Sequence, residues 1–400
     1  MHVVIVGASV AGIRTVQALR SRGFTGQITV IGDEVHLPYD KPPLSKEMLD
    51  PARDGSPIPL VDGEELAALS VELKLGVRAT GLDTAGKVVH TDSGGITYDK
   101  LVIATGVSPR TLPDADRFPN VYTVRTADDA HALRRELVPG RRVVVIGAGF
   151  IGAEFASAAT AHGLGVTMVE AQSAPLAQQL GAPVGLALAE LHAINDVQLL
   201  TGVRFSGFDG EDRATGVRLD DGRVLPADFV VVGIGAQPAV GWLGSSVTID
   251  NGVVCDGSLR AIGTADVYAA GDVAHWHHPV YDEPMRIEHW TNANDHAEII
   301  AADLLDGPPP RPTVPYVWSD QYGKRIQIVG RPARGIPTIQ HGSAAEGDLV
   351  VGFTDDDTTL VGALTVDNPR LLMKLRKAIL AGNTQEQVEQ TILAGAPASK

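Results

Sequence analysis

Two stretches of the chain carry the same pattern of apolar and small residues. In each, a β-branched run reaches a glycine, passes into an Ala-rich amphipathic stretch ending near another glycine, and gives way to a second Val/Ile/Thr run. Val3 to Gly12 (VVIVGASVAG) aligns with Val143 to Gly152 (VVVIGAGFIG) at an offset of 140 residues, and Ala18 with Ala158 and Gly23 with Gly163 extend the match. The pattern predicts strand, glycine turn, helix, strand, twice over. A second repeat pairs Asp99 to Pro109 (DKLVIATGVSP) with Asp228 to Pro238 (DFVVVGIGAQP) at an offset of 129, each a buried-type strand followed by Gly-x-x-Pro.

The offset falls from 140 to 129, so the first copy holds surplus residues, and the Pro-rich stretch Pro38 to Met48 (PYDKPPLSKEM) is the insert. Val267 to Asp272 (VYAAGD) has no counterpart in the second copy and predicts a return of the chain to the first domain. Gly307 to Pro315 (GPPPRPTVP) reads as a linker, and the residues after it as a smaller α+β unit. The expected class is therefore α/β, with two Rossmann-like nucleotide-binding domains and a C-terminal α+β domain. The expected boundaries are 1–110 with 238–307 for the first, discontinuous domain, 111–237 for the second and 308–400 for the third. A length of 400 residues suits two or three domains.

Gly147, Gly149 and Gly152 form a full GxGxxG between a strand and a helix. The first glycine permits the tight turn, the second lets a pyrophosphate approach the backbone, and the third allows close helix–strand packing, with phosphate charge against the helix N-terminus. The following strand ends in Glu170, where a carboxylate suits the 2′-hydroxyl of an adenosine ribose. The first turn has Gly7, Ser9 and Gly12. Serine in the middle narrows the approach but can hydrogen-bond a phosphate. Its acid is Asp33, with Glu34 as the alternate. Two such units imply two dinucleotides, most simply a tightly held FAD and an exchangeable nicotinamide.

Charge and cysteine content narrow the chemistry. Against 48 Asp+Glu stand 33 Lys+Arg, a net charge of −15, which disfavours nucleic acid and anionic membrane as partners. No apolar stretch approaches 18 residues, and the chain opens directly into MHVVIVG without a cationic, apolar leader pattern, so a cytoplasmic protein is expected. The single cysteine, Cys255, cannot form a CxxC redox pair or a cysteine-based metal cluster. His275, His277 and His278 around Trp276 lack a complementary carboxylate or thiolate set, and no metal site is expected.

At several places the chain resembles the FAD-dependent, NAD(P)H-dependent ferredoxin reductases of oxygenase systems, within the glutathione-reductase-like superfamily. PYDKPPLSKEML resembles that family's insert, LVIATGVSPR its FAD-domain segment, VYAAGDVA its second flavin motif, and VWSDQY (Val317 to Tyr322) the signature opening its C-terminal domain. The resemblance implies FAD, a nicotinamide donor and an iron–sulfur acceptor. It places Ala11, Asp33, Lys46, Arg125, Asp272 and Trp290 among the flavin contacts, with Gly7, Ser9, Gly12, Ala79, Thr105, Gly106 and Gly271 in the same set. It also brings Lys46 and Glu154 toward the isoalloxazine, as a buried pair able to stabilise charge when hydride arrives. The chain departs from the family's pattern at Ser9, and at Asn294-Asp295-His296, where the family often has Gln and Gly.

Disulfide reductases need a CxxC beside the flavin, and flavin peroxidases or coenzyme A disulfide reductases a cysteine in the first helix or insert. That region has none. The leading expectation is an NADH:ferredoxin reductase that passes hydride to FAD and single electrons to a 2Fe-2S ferredoxin serving a cytochrome P450 or ring-hydroxylating dioxygenase. Rubredoxin reductase and NADH oxidase or quinone reductase are the enzyme alternatives, and an apoptosis-inducing-factor-like flavoprotein the non-enzyme one. For an acidic ferredoxin, the C-terminal helix offers a basic face. Asn368 caps it, Pro369 suits its first position, and Arg370, Lys374 and Lys377 recur on one side.

Overall fold

In the computed structural model, which describes residues 1–393, the first β-branched run is the strand His2–Val6 at the centre of a five-stranded parallel sheet. Its neighbours are Lys100–Ile103 and Gln27–Gly32, with Val267–Ala269 and Glu72–Leu75 outside them. Strands covered on both faces need continuous apolar runs rather than alternation. Val3, Val4, Ile5, Leu101, Val102 and Ile103 are all buried. The helices Val10–Ser21 and Trp290–Leu304 pack against one another. With two small three-stranded sheets, these elements make up a compact unit of Met1–Pro43, Pro57–Ser108 and Ala236–Thr313. VYAAGD thus does rejoin the first sheet, through the pairing of Val267–Ala269 with Lys100–Ile103.

The other compact unit holds Leu44–Ser56, Pro109–Gly235 and the residues from Val314 onward. Its parallel sheet runs Gln198–Thr201, Gly165–Glu170, Arg142–Ile146, Phe229–Val232, Val121–Tyr122. An antiparallel five-stranded sheet follows, in the order Tyr316–Gln321, Lys324–Gly330, Leu360–Val366, Val350–Thr354, Ile336–His341. Each face of this sheet has its own apolar cover. Val329, Ile339 and Leu360 pack with Leu371, Leu372, Leu375 and Val388 of the C-terminal helices. Ile326, Val351, Phe353 and Leu364 pack with Val184, Leu188 and Leu191 of the helix Ala182–Ala193. That second core is why the C-terminal sheet and the second nucleotide-type sheet fall in one unit.

The helix Pro369–Ala381 begins where the Asn368 side chain accepts from the Leu371 N–H at 3.1 Å and ends at Gly382, whose φ is +66°. The insert is divided between the two units. It folds as the short 3₁₀ turns Pro42–Ser45 and Glu47–Leu49, and from Leu44 onward side chains of the second unit hold it. Arg134 donates to the carbonyls of Met48 (2.9 Å), Asp50 (3.0 Å) and Arg53, and His162 Nε2 lies 2.7 Å from the Leu49 carbonyl.

Candidate functional site

The two glycine turns have the same internal geometry. The N–H of Gly7 donates to the Ile31 carbonyl and that of Gly147 to the Val169 carbonyl, both at 2.8 Å. Gly7 and Gly147 have φ of +124° and +102°, and a Cβ on either would lie 2.1 or 2.3 Å from a facing carbonyl oxygen. A Cβ on Gly12 or Gly152 would strike the Gly7 or Gly147 carbonyl at 1.9 or 2.1 Å. Packing alone therefore requires the first and third glycines. The middle one is different, since a Cβ on Gly149 would meet nothing within 4 Å. Protein contacts do not explain a glycine at that position, which leaves room for a pyrophosphate to approach the backbone.

The helices behind both turns keep their first N–H groups available. Neither Ser9 nor Gly149, the N-cap residues, makes a side-chain cap bond, and neither first turn holds an acidic residue. Positive dipole ends and unused donors fit a phosphate. Glu170 closes its strand with Oε2 accepting from the Ala148 N–H and Oε1 from the Gln172 N–H, both at 2.9 Å. The carboxylate is thereby fixed beside the glycine turn, and carboxylate oxygens keep acceptor capacity for a ribose hydroxyl. In the first unit Asp33 is exposed, 3.6 Å from the Arg78 guanidinium. Glu34 instead accepts from the Tyr39 hydroxyl (2.5 Å) and the Lys41 ammonium (2.6 Å), which leaves Asp33 the better acceptor of the two for a ligand.

A largely buried charge cluster lies within the second unit. Glu154, on the helix Phe150–Ala161, is 5% exposed. Its Oε2 accepts from the Ser45 hydroxyl at 2.5 Å, its Oε1 from the Ser319 hydroxyl at 2.7 Å, and the Lys46 ammonium is 3.2 Å away. Burial pushes the Glu154 carboxyl above the usual range, opposed by Lys46 and the two hydroxyls. The ammonium also lies 3.6 Å from Asp320 and 5.6 Å from the centre of the Trp318 ring. Arg325 holds Asp320 from the other side with two bonds, at 2.7 and 3.2 Å. Sequence reading supplied Lys46 and Glu154 but not Ser45, Ser319, Asp320 or Arg325, although three of these lie in or beside the PPLSK and WSDQ stretches.

Residues 1–297 match the family described as pyridine nucleotide-disulphide oxidoreductase, and residues 316–394 match the reductase C-terminal family. The chain belongs to the pyridine nucleotide-disulphide oxidoreductase family. Over 98% of its length it is 36% identical to rhodocoxin reductase of Rhodococcus erythropolis, covering 92% of that protein. It is 35% identical to the ferredoxin–NAD(+) reductase subunit of the Pseudomonas putida benzene 1,2-dioxygenase system, covering 92% of this chain and 90% of that one. The crystal structure of a covalent putidaredoxin reductase–putidaredoxin complex superposes with a TM-score of 0.92 at 31% identity, covering 100% and 99% of the two chains.

The remaining expected flavin contacts of this oxidoreductase fall in both units. In the first, a Cβ on Gly271 would lie 3.1 Å from the Ala11 Cβ, so the second flavin motif sits against the first turn's helix. Asp272 is in the 3₁₀ turn Gly271–Val273, and its carbonyl accepts from Arg286 at 3.1 Å. The Trp290 indole donates to Asp40 at 2.7 Å, and the Thr105 hydroxyl to the Ala239 carbonyl at 2.9 Å, while the Gly106 carbonyl accepts from the Ala239 N–H at 3.0 Å. Ala79 is half-buried at the start of the strand Ala79–Asp83. Lys46 and Arg125 belong to the second unit, where the Arg125 N–H donates to Asp129 at 2.9 Å.

Where the sequence departs from the family's pattern, His296 fills its place in the oxidoreductase fully buried, and its Nδ1 accepts from the Gly271 N–H at 3.1 Å. Cys255 is buried, its thiol pushed up to about 12 by burial first and by Asp256 next. A thiol so protonated is a poor nucleophile. No helix among the described residues is long and apolar enough to cross a membrane.

Proposed function

We propose that this oxidoreductase takes hydride from NADH and delivers the electrons singly to a 2Fe-2S ferredoxin that serves an oxygenase. The observation that carries the reading is two dinucleotide-type turns in one chain whose single cysteine is buried and protonated. With no thiol pair to reduce, electrons leave by a protein carrier, as the names of the relatives say of those proteins. FAD, when bound, supplies a ring that accepts hydride and releases electrons one at a time.

The chain's residues have distinct tasks in this reading. Gly7, Ser9, Ala11, Gly12, Asp33, Ala79, Thr105, Gly106, Gly271, Asp272 and Trp290 hold FAD, and Arg125 and Lys46 are assigned to the same cofactor. Gly147, Gly149, Gly152 and Glu170 hold NADH. Lys46 keeps positive charge at the reaction centre and Glu154 keeps Lys46 oriented, with Ser45 and Ser319 fixing the carboxylate. Residues 1–110 with 238–307 form the flavin domain, 111–237 the nicotinamide domain and 308–400 the reductase domain, of which 394–400 lie outside the described residues, in a cytoplasmic protein.

The ferredoxin docks on the C-terminal helix. Arg370, Lys374 and Lys377 are exposed there, and none takes part in an ion pair among the described residues. Met373 and Leu380, each 49% exposed, lie on the same face and give it an apolar component. On a chain of net charge −15 this local basic surface suits an acidic carrier.

The visible spectrum of the purified protein, before and after anaerobic NADH, tests the reading. Flavin bands that bleach with NADH, followed by stoichiometric reduction of an added 2Fe-2S ferredoxin, are expected. Rapid NADH turnover with oxygen alone, without benefit from any carrier, overturns it in favour of an oxidase.

A further inference from the structure

The Lys46 ammonium lies between two carboxylates of unlike character. Glu154 is enclosed, with hydroxyls of Ser45 and Ser319 on its oxygens. Asp320 is 32% exposed in its side chain and held by two bonds from Arg325, which carries its charge at any working pH. Four elements bring charge to this place. Lys46 and Glu47 come from the insert, Glu154 from the helix Phe150–Ala161, Asp320 from the strand Tyr316–Gln321, and Arg325 from the strand Lys324–Gly330, where Glu47 and Tyr316 also act on Arg325.

We propose that Asp320 is a second counter-ion for Lys46, a positioning residue that keeps the ammonium charged and in place whatever the charge on Glu154. The inference rests on the reading of Lys46 as a charge-bearing group of the reductase reaction. If Glu154 were the sole partner, any protonation or displacement of its carboxylate would strand a nearly buried cation, at a cost that expels a proton from the lysine. Asp320 prevents this because its Arg325 clamp holds a second carboxylate within 3.6 Å of the ammonium. Glu154 is then free to change charge or to turn toward a ligand while the ammonium stays. The WSDQ stretch acquires a physical meaning from this arrangement. Trp318 places its ring beside the ammonium, Ser319 donates to Glu154, Asp320 faces Lys46, and Gln321 donates to the Ser319 hydroxyl at 3.0 Å.

Competitive acylation of amines with acetic anhydride between pH 6 and 10, read at the Lys46 peptide by mass spectrometry, tests the proposal in the FAD-loaded protein. Asp320→Asn is expected to raise Lys46 labelling near neutral pH about tenfold, the change for one unit of lysine pKa. Asp320→Glu should restore protection, which a general loosening of the fold would not. Glu154→Gln alone should leave Lys46 largely protected, and the double variant Glu154→Gln with Asp320→Asn should lose protection. The alkaline limb of flavin reduction by NADH should move to lower pH in Asp320→Asn. Unchanged Lys46 labelling in Asp320→Asn overturns the proposal even if flavin reduction is altered. Changed labelling without any effect on flavin reduction instead sustains the ion pairing and sinks the catalytic reading of Lys46.

Discussion

At the scale of single residues, the proposed ribose contact of Glu170 bears on coenzyme choice. Its two oxygens are fixed by the Ala148 and Gln172 N–H groups, so it cannot turn away from the glycine turn without leaving two donors unmet. A 2′-phosphate arriving there meets a like charge, and the chain continues Ala171, Gln172, Ser173 without a cation. Wild-type kcat/KM for NADH should exceed that for NADPH by roughly 10-fold to 1000-fold. Glu170→Ala with Gln172→Arg should narrow or reverse the gap, and equal use of both coenzymes by the wild type would remove Glu170 from the site. Cys255→Ser should leave ferredoxin reduction within about twofold of wild type, because a buried thiol of such high pKa has no redox part. A large loss with FAD retained would point to a thiol mechanism. Glu170 and the glycines were legible from the sequence because their signal is local, a strand end and a fixed spacing. Ser45, Ser319 and Asp320 were not, since their meaning lies in meetings with Glu154 or Lys46 across more than a hundred residues of chain.

At the scale of elements, the duplicated strand–turn–helix units were readable, as was the start of the helix Pro369–Ala381 at its Asn368 cap. Apolar periodicity and caps act within one element, and nothing distant overrides them here. The packing of the insert was not readable, because a guanidinium bound to three carbonyls has no pattern along the chain. Replacing Arg134 with Met leaves those carbonyls without their donor and should cost about 1–3 kcal/mol, with slower flavin reduction and little change in NADH binding. Stopped-flow reduction and NADH titration of the variant separate the two effects, and an unaltered reduction rate would mean that the insert is held without Arg134. For the basic helix, charge reversal at Lys374 and Lys377 should weaken ferredoxin coupling and flatten its salt dependence, while a small artificial acceptor is still reduced at the wild-type rate. Equal loss with both acceptors would exclude this face as the dock.

At the scale of the whole molecule, buried histidines tie stability to pH. Burial holds His192 at about 4, and burial with a lesser contribution from His278 holds His296 at about 3. Both values lie below the unfolded value near 6.5, so the unfolded chain binds the extra protons. Their contribution is complete above about pH 6.5 and is lost as pH falls toward 4, about 2 kcal/mol each between pH 7 and 5. Urea midpoints at the two pH values should show this drop, and it should shrink in His192→Gln. A further consequence follows from the way the backbone alternates between the two units, passing from one to the other after Pro43, Ser56, Ser108, Gly235 and Thr313. Breeding new reductases by exchanging parts between relatives cannot treat the nicotinamide half as a single cassette. A graft cut at Pro109 and Gly235 transplants Glu154 but leaves its lysine to the recipient, and a graft that also takes the C-terminal part carries Asp320 and Ser319 but still not Ser45 or Lys46. Only a three-piece exchange, with Leu44–Ser56 moved in the same step, inherits the charge cluster and its Arg134 anchor from one parent.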